Sequence, residues 1–300
     1  MSKCNLKISK DNLRDEWLIT GYDTLNLDST LHCGQAFRWK KVGSENVACV
    51  REELLAVEDR GSSLILHEPT DDKLGILVSY LRLEESHAEI EDRLSKMDDI
   101  MKEAVSYSSG LRLVDQEPFE CLISYIISAN NSIPLITRAI NNISAKWGSE
   151  RKYKGQSYFT FPSPQALKNA TEEELFECKT GFRAGYLTNA IARVNTKELD
   201  LEAVKTMDYM EAKKALLEQK GVGDKVADCV LLFSMGKFEA FPVDIWIDRI
   251  VRNLYLNGNE VSKKKVREWG EARFKDLAGY AQEYLFAYAR EKIPDLLRRS

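Results

Sequence analysis

Several things are missing from this 300-residue chain, and each absence narrows what it can be. Its six cysteines (Cys4, Cys33, Cys49, Cys121, Cys178 and Cys229) nowhere form a C-x2-C pair. That scatter argues against a zinc site or a disulfide framework and implies a reducing, intracellular setting. No run of 18 or more apolar residues occurs, so no transmembrane span is expected. The opening stretch, MSKCNLKISKDNL, lacks the apolar centre of a secretion signal. There is no internal repeat and no low-complexity tract. The three histidines, His32, His67 and His87, are isolated and receive no catalytic role. Positive charge is not in excess either: 43 Lys and Arg stand against 47 Asp and Glu.

What is present is an ordinary globular balance, 44% apolar and 30% charged, with material for two domains. The charge is unevenly spread. Residues 1–110 carry 14 basic and 21 acidic side chains, whereas residues 111–300 carry 29 and 26. The second segment is therefore mildly basic and can meet phosphates locally. Short alternating runs in the first third, EWLITGYDTLNL, QAFRWKKV, NVACVREELLAVEDR and SSLILHEP, predict an antiparallel sheet. From Asp71 the apolar spacing turns helical. After a linker around 108–118, nearly everything is expected to be helix, beginning with PFECLISYIISAN, whose proline suits a first turn. The expected fold class is α+β: an amino-terminal antiparallel domain over 1–112, then a mainly helical region over 113–300.

The chemistry concentrates in DYMEAKKALLEQK-GVG-DKVADCVLLFSMG, a helix, a Gly-x-Gly turn and a second helix, spanning about 208–235. Gly221 and Gly223 permit backbone conformations closed to other residues. They also let a phosphate approach amide groups at a helix start, although the pattern serves equally as a plain tight turn. Lys225 falls in the first turn of the second helix, where the helix dipole and any burial disfavour an ammonium. A neutral lysine there is a nucleophile; otherwise it is a solvated residue beside a turn. Cys229 lies four residues on, on the same face. Nineteen residues after Lys225, in FPVDIWIDRIVRN, Asp244 opens the next helix. It is placed to cap amide groups and, beside a neutral lysine, to stabilise a developing cation.

With LLEQKGVGDKVADC followed by PVD, the sequence resembles the helix-hairpin-helix DNA glycosylase superfamily. Within it, the chain is most similar to the 8-oxoguanine DNA glycosylases found in eukaryotes and some bacteria. LHCGQAFRWK resembles their amino-terminal reading loop, QEPFECLISYIISANNSI their long helix and Asn-Asn wedge, GFRAGYL their opposite-base segment, and GYAQEYLFAYAR their carboxy-terminal pocket helix. The resemblance implies a TATA-binding-protein-like amino-terminal domain and an active site within the helical region. It implies a base flipped from the duplex, attack by Lys225 on C1′, a Schiff base, strand nicking by β-elimination, and a stabilising role for Asp244. By the same resemblance, the Gly34 carbonyl accepts from the N7–H that only the oxidised base carries. Gln282 meets the base's Watson–Crick edge, and Phe286 and Cys229 hold its faces. Asn130 fills the gap left by the base, with Phe182 wedging and Arg183 bonding the orphaned partner. Carbonyls of Leu217, Gln219 and Val222 are implied to hold a monovalent or calcium ion.

Departures from the family pattern carry their own expectations. Leu135 stands where eukaryotic members have a second arginine, which predicts a relaxed opposite-base preference. Phe182 replaces a tyrosine, and Trp246 replaces a histidine that meets phosphate. No cysteine follows Cys229, so no iron–sulfur cluster is expected, nor any cofactor for catalysis. The expected partner is double-stranded DNA containing 8-oxoguanine, bound by a monomer without membrane association. The expected compartment is the cytoplasm or nucleoid, or the nucleus in a eukaryote. Two rival readings remain: a glycosylase for alkylated or mismatched bases, which Lys225 disfavours, and a silent DNA-binding module, which Asp244 and Gln282 disfavour.

Overall fold

A computed structural model describes residues 2–11 and 13–293. The first part is a six-stranded antiparallel sheet built from β1 (Lys7–Asp11), β2 (Glu16–Thr20), β3 (Lys40–Val42), β4 (Glu45–Val50), β5 (Glu53–Asp59) and β6 (Leu64–His67). Its spatial order is β1-β2-β6-β5-β4-β3. Strand β4 pairs with β5 from Glu45↔Glu58 to Val50↔Glu53. Side chains of these two strands alternate between two apolar clusters. Ala48, Val50, Leu55 and Val57 face one, while Val47, Cys49, Leu54 and Ala56 face the other. The two-residue period of a strand thus buries both faces at once.

Among the elements that cover those faces, two were not expected from the sequence. Helix α1 (Leu27–His32) fills the interval between two stretches read as strand, sharing only Leu27 with the first; Asn26 caps it by accepting from the Ser29 amide at 2.9 Å. The other face is closed by a hairpin from the helical half, β7 (Glu150–Tyr153) and β8 (Gln156–Phe159). Lys154 and Gly155, at φ 47° and 74°, make the two-residue turn that such hairpins prefer. Tyr153 then donates to Glu45 Oε2 at 2.9 Å. QAFRWKKV supplies strand only at Lys40–Val42. Gln35 instead spends its side chain on the carbonyls of Thr30 and Arg112 and on the Val114 amide.

Helices α2 (Asp71–Tyr80), α3 (His87–Ser95) and α4 (Asp99–Tyr107) lead into α5 (Pro118–Ser128) and α6 (Ile133–Trp147). After the hairpin come α7 (Glu172–Leu175), α8 (Ala184–Asn195), α9 (Leu201–Thr206), α10 (Tyr209–Leu217), α11 (Asp224–Met235), α12 (Ile245–Tyr255), α13 (Lys263–Phe274) and α14 (Ala278–Lys292). Every residue of α11 from Val226 to Met235 is buried. A helix buried on every side belongs at a core; α11 packs against α5 and α10, with its buried Asp228 paired to Lys213 at 2.6 Å. Gly279 brings α14 against α11, since any Cβ there would collide with Leu232. Tyr284 of α14 also reaches His87 and Glu91 of α3, each at 2.9 Å. Among the described residues no helix is long and apolar enough to cross a membrane.

Candidate active site

The loop between α10 and α11 holds its shape through Gly221. It sits at φ 84°, and a Cβ would press to 2.7 Å from the Tyr186 ring. Gly223 is the N-cap of α11 and gives no side-chain cap, and a Cβ there would meet open space. The first amides of α11 therefore face outward with room for an approaching group. Asp224 turns aside to Arg267 of α13 at 2.7 Å.

Lys225 follows, half-buried. Its Nζ lies 4.9 Å from the Tyr125 ring centroid and 3.4 Å from Ser128 Oγ, both on α5. Tyr125 is fixed in turn by stacking on Phe233 at 5.6 Å and by donating to the Gln35 carbonyl at 3.0 Å. Asp244 caps α12: its Oδ1 accepts from the amides of Trp246 and Ile247, each at 2.8 Å. One carboxylate oxygen is thereby pinned, which orients the other.

Lys225 and Asp244 line a single cleft of about 730 Å³. Gly34, Asn130, Gly221, Gly223, Cys229, Trp246, Gln282 and Phe286 line it too. Every residue expected in the base pocket, drawn from three separate regions of the chain, meets there. Burial pushes the Cys229 thiol up to about 12 against the opposing charge of Lys225, so it remains a protonated, apolar wall. Gln282 is buried, and its Oε1 has no partner. The Gly34 loop is held on both sides: Arg290 donates to the Cys33 carbonyl at 3.3 Å, and Gln116 and Tyr125 donate to that of Gln35 at 2.8 and 3.0 Å.

The remaining expected residues lie outside the cleft lining. Phe182 and Leu135 are exposed, at 65% and 52%. Arg183 is buried and committed. Its guanidinium donates to the Ala129 carbonyl at 2.9 Å, to Thr180 at 3.2 Å and to Asn130 at 3.0 Å, while lying 4.3 Å from the Phe182 ring. It thereby ties the Phe182 turn to the turn of Asn130, which sits at φ 50°. Leu217, Gln219 and Val222 belong to the end of α10 and its loop, where the Gln219 carbonyl already accepts from the Val222 amide at 3.0 Å.

Sequence reasoning passed over Tyr125, Ser128, Glu283 and the basic residues Lys263, Lys264 and Arg267, all of which line the cleft. Tyr125 and Ser128 are three apart on a helix read only as apolar, and the KKK run at 263–265 is the one signal that marked the basic rim. Among the described residues no group of three or more His, Cys, Asp or Glu is placed to hold a metal.

A glycine hairpin that delivers a lysine to the head of a buried helix, with a helix-capping aspartate lining the same cleft, defines the class of helix-hairpin-helix base excision DNA repair proteins. Residues 123–276 match the HhH-GPD superfamily model of such proteins, and residues 18–122 match the 8-oxoguanine DNA glycosylase N-terminal domain. Within the class, the chain belongs to the 8-oxoguanine DNA glycosylase family. It is 36% identical over 70% of its length to a probable N-glycosylase/DNA lyase of Methanothermobacter thermautotrophicus, covering 74% of that protein. To the N-glycosylase/DNA lyase OGG1 of Arabidopsis thaliana it is 32% identical, over 87% of this chain and 76% of the relative. The 8-oxoguanine glycosylase/lyase of Clostridium acetobutylicum was solved with double-stranded DNA containing cytosine opposite 8-oxoguanine. It superimposes with a TM-score of 0.91 at 37% identity, over 98% of this chain and 100% of that one.

Proposed function

We propose that the chain is a bifunctional repair glycosylase that excises 8-oxoguanine from duplex DNA and nicks the strand. The observation that carries this reading is the placement of Lys225 and Asp244 on one cleft with Gly34, Cys229, Gln282 and Phe286. Extrusion of the damaged nucleotide costs a few kcal/mol, and the cleft supplies the contacts that offset it. Phe286 and Cys229 hold the two base faces, an aromatic stack contributing about 1–3 kcal/mol. The Gly34 carbonyl, in its pinned loop, accepts from N7–H. Guanine would set an acceptor against an acceptor there, which is how one contact separates lesion from normal base.

Lys225 Nζ, having given up its ammonium proton, then attacks C1′. The N-glycosidic bond breaks and its electron pair leaves with the base, which takes up the proton shed by the nitrogen. The sugar ring opens to a Schiff base. Loss of a C2′ proton then expels the 3′ phosphate, and water releases the lysine. Asp244 supplies negative charge beside the cationic sugar in the first step. The first amides of α11 beside the Gly221–Gly223 turn, with Trp246 and Lys263 nearby in the lining, meet the phosphate backbone. The carbonyls of Leu217, Gln219 and Val222 are the oxygen donors a monovalent or calcium ion takes; bound there, an ion would neutralise a phosphate.

On the opposite strand, Asn130 fills the vacated position and Phe182 wedges beside the orphaned base. Three carbonyls take four of the Arg183 N–H groups, Ala129 accepting two of them, which leaves at most one N–H for that base. With Leu135 in place of a second arginine, discrimination for cytosine is weak. A denaturing gel of an 8-oxoguanine duplex tests the activity: nicking without alkali treatment is expected, and an intact strand after both incubation and alkali overturns the reading.

A further inference from the structure

One buried acid of the cleft has no part in this mechanism. Glu283 follows Gln282 on α14, is only 6% exposed, and lines the cleft. Its carboxyl faces the Cys33 thiol, next to Gly34, and the Gln282 amide. An ionised carboxylate offers only acceptors. The Glu283 carboxyl interacts with the Gln282 side chain, and an ionised carboxylate can engage only the amide nitrogen of that side chain; the Gln282 oxygen is buried and unpartnered. A buried acceptor without a partner is costly, and it selects a ligand that brings a donor.

On the reading of the cleft as a base pocket, we propose that Glu283 is a positioning residue. It holds the Gln282 nitrogen, so that the Gln282 oxygen meets the N1–H and amino edge of a guanine-type base. A protonated Glu283 would instead donate to that oxygen and turn the amide, presenting NH₂ to the base and repelling the same edge. Burial raises the Glu283 carboxyl to about 7, so both forms are populated near neutrality. The charged and titratable groups around it are Cys33 beyond α1, Tyr125 on α5, Lys225 and Cys229 on α11, and Asp244 at the head of α12. Lys225 lowers the Glu283 pKa and Asp244 raises it.

The test compares wild type, Glu283→Gln and Glu283→Ala in two single-turnover assays. One is release of 8-oxoguanine; the other is borohydride trapping on a duplex with a preformed abasic site, which needs no base recognition. Both variants should lose about tenfold in 8-oxoguanine release while trapping stays within about twofold. In wild type, the ratio of release to trapping should rise between about pH 6 and pH 8, and in Glu283→Gln it should be flat. Unchanged release by the variants, or equal loss in both assays, overturns the proposal while leaving the base-pocket reading intact. Wild type that traps abasic DNA yet releases no 8-oxoguanine overturns both.

Discussion

Lys225 lies over the face of Tyr125, its nitrogen 4.9 Å from the ring centroid, and the hydroxyl of the same tyrosine holds the Gln35 carbonyl at 3.0 Å. One side chain thus connects Lys225 to the loop that carries Gly34. The ring attracts a cation, and the hydroxyl sets the loop. Tyr125→Phe separates the two: the ring stays, and a buried acceptor loses one of its two donors. Release of 8-oxoguanine should fall about fivefold, the equivalent of one hydrogen bond of about 1 kcal/mol. Trapping at a preformed abasic site should be unchanged. Equal loss in both assays would mean that the hydroxyl supports Lys225 instead.

Asp244 both caps a helix and faces the cleft, and Asn separates those roles. Asparagine caps as well as aspartate, so Asp244→Asn should leave thermal stability within about 0.5 kcal/mol. Excision should nevertheless fall by about a hundredfold or more, because charge beside the sugar is lost. A melt combined with single-turnover kinetics checks both halves; a large drop in melting temperature would make the cap the dominant role.

Leu135 is exposed at 52% and free to be replaced. Leu135→Arg should restore a reader for the opposite cytosine and raise preference for that base by about 1–3 kcal/mol. Excision measured against each of the four opposite bases reports it. A strong cytosine preference already present in wild type would show that the determinant lies elsewhere.

Glu283 also gives stability a pH dependence. Folded, it keeps its proton up to about 7, whereas its ordinary value is 4.5, and the cause is burial. Between those values the folded state binds more protons than the unfolded chain, so stability falls as pH rises. Relative to Glu283→Gln, wild type should lose up to about 3 kcal/mol across that window. Melts of the two proteins at matched pH should diverge upward from about pH 4.5; parallel curves would place the carboxyl in contact with water.

Much of the candidate site's geometry was legible because its determinants are local. The Gly-Val-Gly turn, the position of Lys225 in a first turn and the capping place of Asp244 are written within a few residues each. The sheet's two-residue alternation was legible for the same reason. The β7–β8 hairpin was not, because its strands are short and charged and its aromatic residues find their partners on a distant sheet. Glu283 and Tyr125 were also hidden: an acid and a phenol on apolar helices acquire meaning only when α14, α11 and α5 pack together. Arg183 shows the converse, a basic residue expected to face DNA that the fold occupies with its own carbonyls.

The proposed reaction depends on covalent bonding of the Lys225 amine to the sugar. Incubating wild type and Lys225→Gln with an 8-oxoguanine duplex and sodium borohydride tests it directly. A trapped protein–DNA adduct is predicted for wild type and none for the variant. No adduct with wild type, or one that persists in Lys225→Gln, would contradict the account.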